Sequence, residues 1–295
     1  MRIAIPLFLT LAMSCADDHD HADSDDEASD VTGDDDDDDD DNGTNNGGTT
    51  DGSLEGWCTG QDENFSFFVT SMSGLWALSD SADGDMDGGF GGDFGGLAGA
   101  DQICQQLATA TGHGDKTWRA FLSVTDDGSG QQVDAIDRIG SGPWYDANGR
   151  LVADDLAGLS GERPDGEAQS VDDLPDECGV PLSALGDAHD IVTGSDENGR
   201  LYSSDPDTTC NNWTSSDGSV GGSGDLMCGH SFPREGGPGG GGPGGGPGGD
   251  EGANWVSDHS LHGCGKGANL IQDGPGSGSC IGCGGGYGAF YCFAE

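Results

Sequence analysis

Residues 95–107 read Gly-Gly-Leu-Ala-Gly-Ala-Asp-Gln-Ile-Cys-Gln-Gln-Leu, and residues 118–124 read Trp-Arg-Ala-Phe-Leu-Ser-Val. In the first stretch Leu97, Ala100, Ile103, Cys104 and Leu107 recur at helical spacing, and Gly112 follows as a stop. The spacing predicts a helix over residues 99–111 whose apolar stripe includes Cys104. The second stretch alternates and predicts a buried strand. Upstream, Phe65, Phe67 and Val69 alternate with Ser66 and Thr70, which predicts another strand, with Phe68 on its second face. At the far end, residues 289–294 (Ala-Phe-Tyr-Cys-Phe-Ala) predict the last strand. Strands flanking one helix, with another strand far away in sequence, indicate an α+β domain.

Between these elements lie long stretches of Gly, Asp and Ser with little periodicity. Residues 235–252 are nearly all Gly and Pro and read as a flexible surface insert. The folded domain is expected over residues 54–295. With so much loop it needs covalent support, which its cysteines can supply.

The N-terminus indicates export. Arg2 is followed by an apolar run over residues 3–13, broken only by Pro6 and Thr10. That length suits a signal peptide and is too short to span a bilayer. The run ends at Ala12-Met13-Ser14-Cys15, which resembles a bacterial lipobox, with Ala12 where Leu is usual. Residues 1–14 are therefore expected to be removed and Cys15 to carry lipid, an ordinary cleaved signal being the alternative. Residues 15–53 follow as an acidic tether that includes an unbroken Asp run over 34–41. Like charges extend such a chain, and nothing in it offsets the entropy of ordering, so the tether is expected to be disordered. His19 and His21 lie within it and read as solvated.

Nine Lys and Arg stand against 55 Asp and Glu, for a formal charge of −46. About a third of the acids lie in the tether, so the domain is strongly acidic in its own right. Such a surface repels nucleic-acid phosphates and attracts cations and basic partners. Of the 10 cysteines, nine remain if Cys15 is lipidated, in a compartment where disulfides persist. Nine is odd, so one is left over.

Segments in the same order resemble a known family. Residues 67–71 (FFVTS), 95–105 (GGLAGADQICQ) and 118–123 (WRAFLS) look like an exported bacterial domain similar to endostatin, the C-terminal domain of collagen XVIII, and hence to the C-type lectin-like fold. Residues 193–201 (TGSDENGRL), 210–214 (CNNWT) and 291–293 (YCF) resemble later endostatin segments in register. The resemblance implies that the first and last strands pair and that a disulfide ties the helix to the final strand, joining Cys104 to Cys292. In the chain-entropy argument so long a loop gains about 4–5 kcal/mol. It also implies a bridge from Cys210 to a cysteine shortly before the last strand. Cys283 is the first choice there, then Cys280, then Cys264. Cys58, Cys178 and Cys228 have no counterpart.

Candidate chemistry is sparse. Asp83-Gly84-Asp85-Met86-Asp87-Gly88 copies the start of a calcium loop, but position twelve is Phe94 instead of Glu, so calcium at Asp83, Asp85 and Asp87 competes with a solvated acidic insert. The triplets at residues 197–199 and 205–207 do not match those of calcium-dependent lectins, and no histidine cluster opens the domain as in endostatin's zinc site. His259, His262 and Cys264 upstream of Cys280 and Cys283 offer zinc-type ligands, although oxidising conditions favour disulfides. His113, His189 and His230 lie in Gly- and Asp-rich loops and read as surface residues. Motifs of serine hydrolases, zincins and P-loops are lacking, and no enzyme is expected. The expectation is a non-catalytic binding or adhesion module in the cell envelope, anchored by its lipid to the outer membrane and facing the surface or the periplasm, with an unknown protein or glycan ligand. The alternatives are an acidic structural envelope protein and, further off, a calcium-dependent carbohydrate binder.

Overall fold

The computed structural model describes Leu54 and residues 57–221, 226–233, 254–271 and 278–295. The expected signal segment, Cys15, the tether and the Gly/Pro insert lie outside the described residues. The described part is mixed α+β with several small sheets and four disulfides. Among the described residues no helix is long and apolar enough to cross a membrane.

The first sheet joins the two ends of the domain. Strand β1 (Phe67–Val69) pairs antiparallel with β11 (Tyr291–Ala294), with Phe68 opposite Cys292, and β11 pairs on its other side with β2 (Trp118–Ala120). Phe67, Phe68 and Val69 are all fully buried, so both faces of β1 are covered. On one face Phe68 and Phe65 meet Trp118, with ring centroids 5.0 and 5.2 Å apart; on the other Phe67 meets Phe293 at 4.9 Å. Phe293 also meets Trp144 at 5.3 Å. Such ring pairs add about 0.5–1.5 kcal/mol each beyond the area they bury.

Helix α2 (Gly96–Ala110) follows α1 (Met72–Leu78), a short helix that periodicity alone did not reveal. The helix starts three residues before the expected position, after Gly95 in the left-handed region. Its buried stripe is Ala100, Ile103, Cys104, Leu107 and Ala108. Cys104 is bonded to Cys292 over 188 residues, which ties this stripe to the end of the chain. Asp101 borders the stripe, with both carboxylate oxygens 2.8 Å from Arg138 Nη2 and Oδ1 accepting the Ala120 amide at 2.9 Å.

Two expected strands are shorter than their patterns. The chain leaves strand geometry after Ala120, because the Leu122 amide turns back to the Ala120 carbonyl and the Ser123 amide then donates to Thr193. The terminal strand is divided at Phe290, whose amide donates to Thr70 Oγ1 and whose carbonyl accepts from the Thr70 amide. Before that point β10 (Gly286–Ala289) belongs to a second sheet, of order β10-β5-β6-β7, with β5 at Asp190–Val192, β6 at Leu226–His230 and β7 at His259–Leu261. β10 runs parallel to β5; the other pairs are antiparallel. Two-stranded pairs complete the set: β3 (Trp144–Tyr145) with β4 (Leu151–Ala153), and β8 (Gly265–Ala268) with β9 (Cys280–Gly282).

The bridge from Cys210 differs from the first choice. Cys210 is bonded to Cys264, and Cys283 is bonded to Cys280. A tight turn after β9, in which the Cys283 amide donates to the Cys280 carbonyl, brings those two sulfurs together and leaves Cys264 for Cys210. Cys58 and Cys178 form the fourth bridge, and Cys228 is the buried free thiol. Residues Cys210, Asn211, Asn212 and Trp213 all have positive φ, from 49 to 61°, a left-handed turn that disfavours ordinary side chains. It is held from several sides: the bond to Cys264, Trp213 Nε1 donating to Ser123 at 2.9 Å, and Asn212 Oδ1 accepting from Thr125 and Asp126.

Candidate metal centre

Strand register in the second sheet collects four polar side chains. Asp190 opens β5 and stands opposite His230 at the end of β6, while Cys228, two residues earlier on β6, stands opposite His259 at the start of β7. Opposed residues of antiparallel strands share a face, and so do residues two apart on one strand. Asp190, His230, Cys228 and His259 therefore lie on one face, and His189 joins them from the residue before β5.

The imidazoles converge on one carboxylate oxygen. Asp190 Oδ1 is 2.9 Å from His259 Nε2, 3.1 Å from His189 Nε2 and 3.7 Å from His230 Nε2. Ring centroids of His189 and His230 are 4.5 Å apart, and those of His230 and His259 are 5.0 Å apart. One donor atom from each of His189, Asp190, His230 and His259 lies within 4.8 Å of the other three. His189, Asp190 and His230 are buried, whereas the His259 side chain is 37% exposed. In His189 and His259 the other ring nitrogen is held from outside the cluster. His189 Nδ1 is 2.9 Å from Asp187 Oδ1, and His259 Nδ1 is 3.4 Å from the Ser260 carbonyl. His230 Nε2 also stands 3.5 Å from Asp258 Oδ2.

Charges in the cluster perturb one another. Burial works to raise the Asp190 carboxyl, but His259 and His189 outweigh it and hold the group well below its ordinary range. Burial works against charge on His189, yet Asp190 and Asp187 hold it above the ordinary imidazole value. Burial likewise works against charge on His259, and Cys228 and Asp190 hold it up. Of those two, Asp190 is the partner ionised at neutral pH, because burial pushes the Cys228 thiol up to about 12. Cys228 Sγ lies 3.6 Å from both ring nitrogens of His259 and 3.8 Å from Asp190 Oδ1.

The expected ligands fare differently. His189 and His230, read as surface residues, are 1% and 2% exposed, because His230 ends β6 opposite Asp190 and His189 immediately precedes β5. His259 takes part in a cluster, but with different companions: Cys264, Cys280 and Cys283 are consumed by disulfides and His262 is exposed. Asp83, Asp85 and Asp87 are exposed in successive turns, and Asp85 Oδ1 accepts the Asp87 amide at 3.0 Å. Among the described residues, the histidine cluster is the group of three or more such donors that converges. The signal in sequence was thin: His189-Asp190, Cys228-Gly-His230 and Asp258-His259 each pair a histidine with a second polar ligand type, but they are spread over 71 positions.

A second buried acidic group is structural. Glu177 accepts the Ser71 amide at 2.9 Å and the Ser71 hydroxyl at 2.5 Å, and Ser71 caps α1 by accepting the Gly74 amide. Burial, and then neighbouring Asp176, push the Glu177 carboxyl up to about 8; burial pushes Asp176 up to about 6.

No family model matches this chain, and no curated protein matches it.

Proposed function

We propose that the chain is a non-catalytic binding or adhesion module of C-type lectin-like, endostatin-like architecture, held at a membrane surface in the cell envelope by lipid on Cys15. The observation that carries this reading is the closed frame. β1 pairs with β11 and Cys104 is bonded to Cys292, so the domain begins and ends at one place. Both features accord with the endostatin resemblance. Long loops are displayed from that frame between the inner elements, and loops on a rigid scaffold are where ligand contacts concentrate. A glycan and matrix-protein array, run with and without calcium, tests the reading. Saturable retention of one ligand class supports it, and calcium dependence would favour carbohydrate recognition. Retention of everything basic, lost with salt, would replace it with an acidic envelope component that binds cations diffusely. The formal charge of −46 is the observation behind that second reading. Palmitate labelling that disappears in Cys15→Ser tests the lipid anchor.

A further inference from the structure

We propose that His189, Asp190, His230 and His259 form a closed zinc(II) site, with three imidazole nitrogens and one carboxylate oxygen as donors. The site is independent of the ligand surface proposed above.

Spacing is the first argument. A tetrahedral site with bonds of 2.0–2.1 Å places its donors about 3.3 Å apart. The three Nε2 atoms stand 2.9, 3.1 and 3.7 Å from Asp190 Oδ1. No two of the four donor atoms are more than 4.8 Å apart, so a cation at the centre would draw the widest pair together by up to about 1.5 Å.

The second argument is how the donors are distributed. Three ring nitrogens face one oxygen, whereas Asp190 Oδ2 is buried and accepts no hydrogen bond. A carboxylate that served only as a hydrogen-bond acceptor would divide its donors between two oxygens, since each has two lone pairs. Convergence on one oxygen suits a carboxylate that shares a cation with the imidazoles through that oxygen.

The third argument comes from the far side of the rings. Metal-bound histidines commonly donate their other N–H to a carboxylate or carbonyl, which fixes the tautomer and orients the ring. His189 Nδ1 meets the Asp187 carboxylate and His259 Nδ1 meets the Ser260 carbonyl. In both rings this leaves the Nε2 lone pair turned toward the cluster.

Donor type selects the ion. Three imidazoles and one carboxylate suit zinc, while calcium takes six to eight oxygens. Four protein donors fill a tetrahedral shell, which is the arrangement of zinc sites that bind without catalysing. His259, with its partly exposed side chain, lies on the path by which an ion would enter.

The test uses the full oxidised chain, stripped with a chelator and titrated with zinc chloride at high sodium chloride, where diffuse binding to the acidic surface is screened. The expected result is one zinc per chain, not displaced by calcium or magnesium, and a tetrahedral visible spectrum when cobalt(II) is substituted. Asp187→Asn, which keeps every donor, should weaken binding about 10–100-fold. His259→Ala should weaken it further while circular dichroism remains that of the wild type, and Cys228→Ala should retain the zinc. If His259→Ala does not fold, Asp187→Asn decides the question. Failure to take up stoichiometric zinc at high salt would overturn the proposal. So would uptake that calcium displaces, or uptake unchanged in both the Asp187 and the His259 variants.

Discussion

Around β1, β11 and β2 the buried groups are rings: Phe65, Phe67, Phe68, Trp118, Tyr291 and Phe293. Around β5, β6 and β7 they include His189, Asp190, His230 and a free thiol at Cys228. The two sheets are continuous through residues 286–294, which belong to one on either side of Phe290. They are nonetheless stabilised by different physics. Ring packing is undirected and tolerates small shifts, whereas a buried carboxylate is stable only while its partners stay in place. The first sheet works as the frame, and the second can hold a chemically defined site because that frame spares it from carrying the fold alone.

The largest expected effect breaks the frame. Cys104→Ala with Cys292→Ala removes the longest loop closure and should lower unfolding free energy by about 5 kcal/mol, read from denaturant titration. An effect under half that size would mean that ring packing alone closes the first sheet. Next comes the polar side. Asp190→Ala leaves the imidazoles without their carboxylate and should cost about 3–5 kcal/mol. A near-neutral result would show the cluster to be dispensable for stability and the two sheets less different than their composition suggests.

Acidity separates the regions in the opposite way. Glu177, beneath α1, titrates near 4.5 when unfolded and at about 8 when folded. Its contribution to stability is complete below pH 4.5 and is lost as pH rises through 8, with a slope approaching 1.4 kcal/mol per unit, or about that much between neighbouring pH values. Asp190 is depressed instead, so its contribution is present above 3.8 and is lost as pH falls toward its folded value. Glu177→Gln should flatten the decline in stability between pH 4.5 and 8 and leave the more acid limb unchanged. A decline that persists undiminished would place the sensitive group elsewhere.

Smaller effects lie at the edges. Cys280→Ser with Cys283→Ser opens a bridge spanning three residues, and the loop-closure argument gives about 2 kcal/mol. The smallest effect concerns the acidic turns. Asp85→Asn with Asp87→Asn should leave the melting temperature unchanged, with or without calcium at high sodium chloride. A saturating, calcium-selective rise in wild type that this variant abolishes would establish a metal site at Asp83, Asp85 and Asp87.

The frame was largely legible. The apolar spacing of residues 97–107 gives α2, because one covered stripe leaves a periodic trace in the chain, and the apolar runs near Phe67 and Trp118 give β1 and β2. Where the chain bends the trace misleads, as after Ala120, where the Leu122 amide turns back to the Ala120 carbonyl, and at Phe290, whose amide is taken by the Thr70 side chain. Helix α1 left a weak trace because it has seven residues and depends on a cap and on distant Glu177.

The candidate centre was not legible in the same way. His189, Asp190, His230 and His259 fall in loops and strand ends that carry no period, and their companionship depends on β6 lying between β5 and β7. The pairing of Cys210 likewise rested on proximity, since the resemblance ranked Cys283 and Cys280 ahead of Cys264 and a local turn claimed those two for each other. Composition and periodicity by themselves determined an acidic, cysteine-rich α+β chain with a helix and strands in known places. Tertiary structure alone decided which polar groups meet, because hydrophobic burial acts along a short stretch of chain, whereas strand register brings together residues separated by long loops whose sequence does not encode their path.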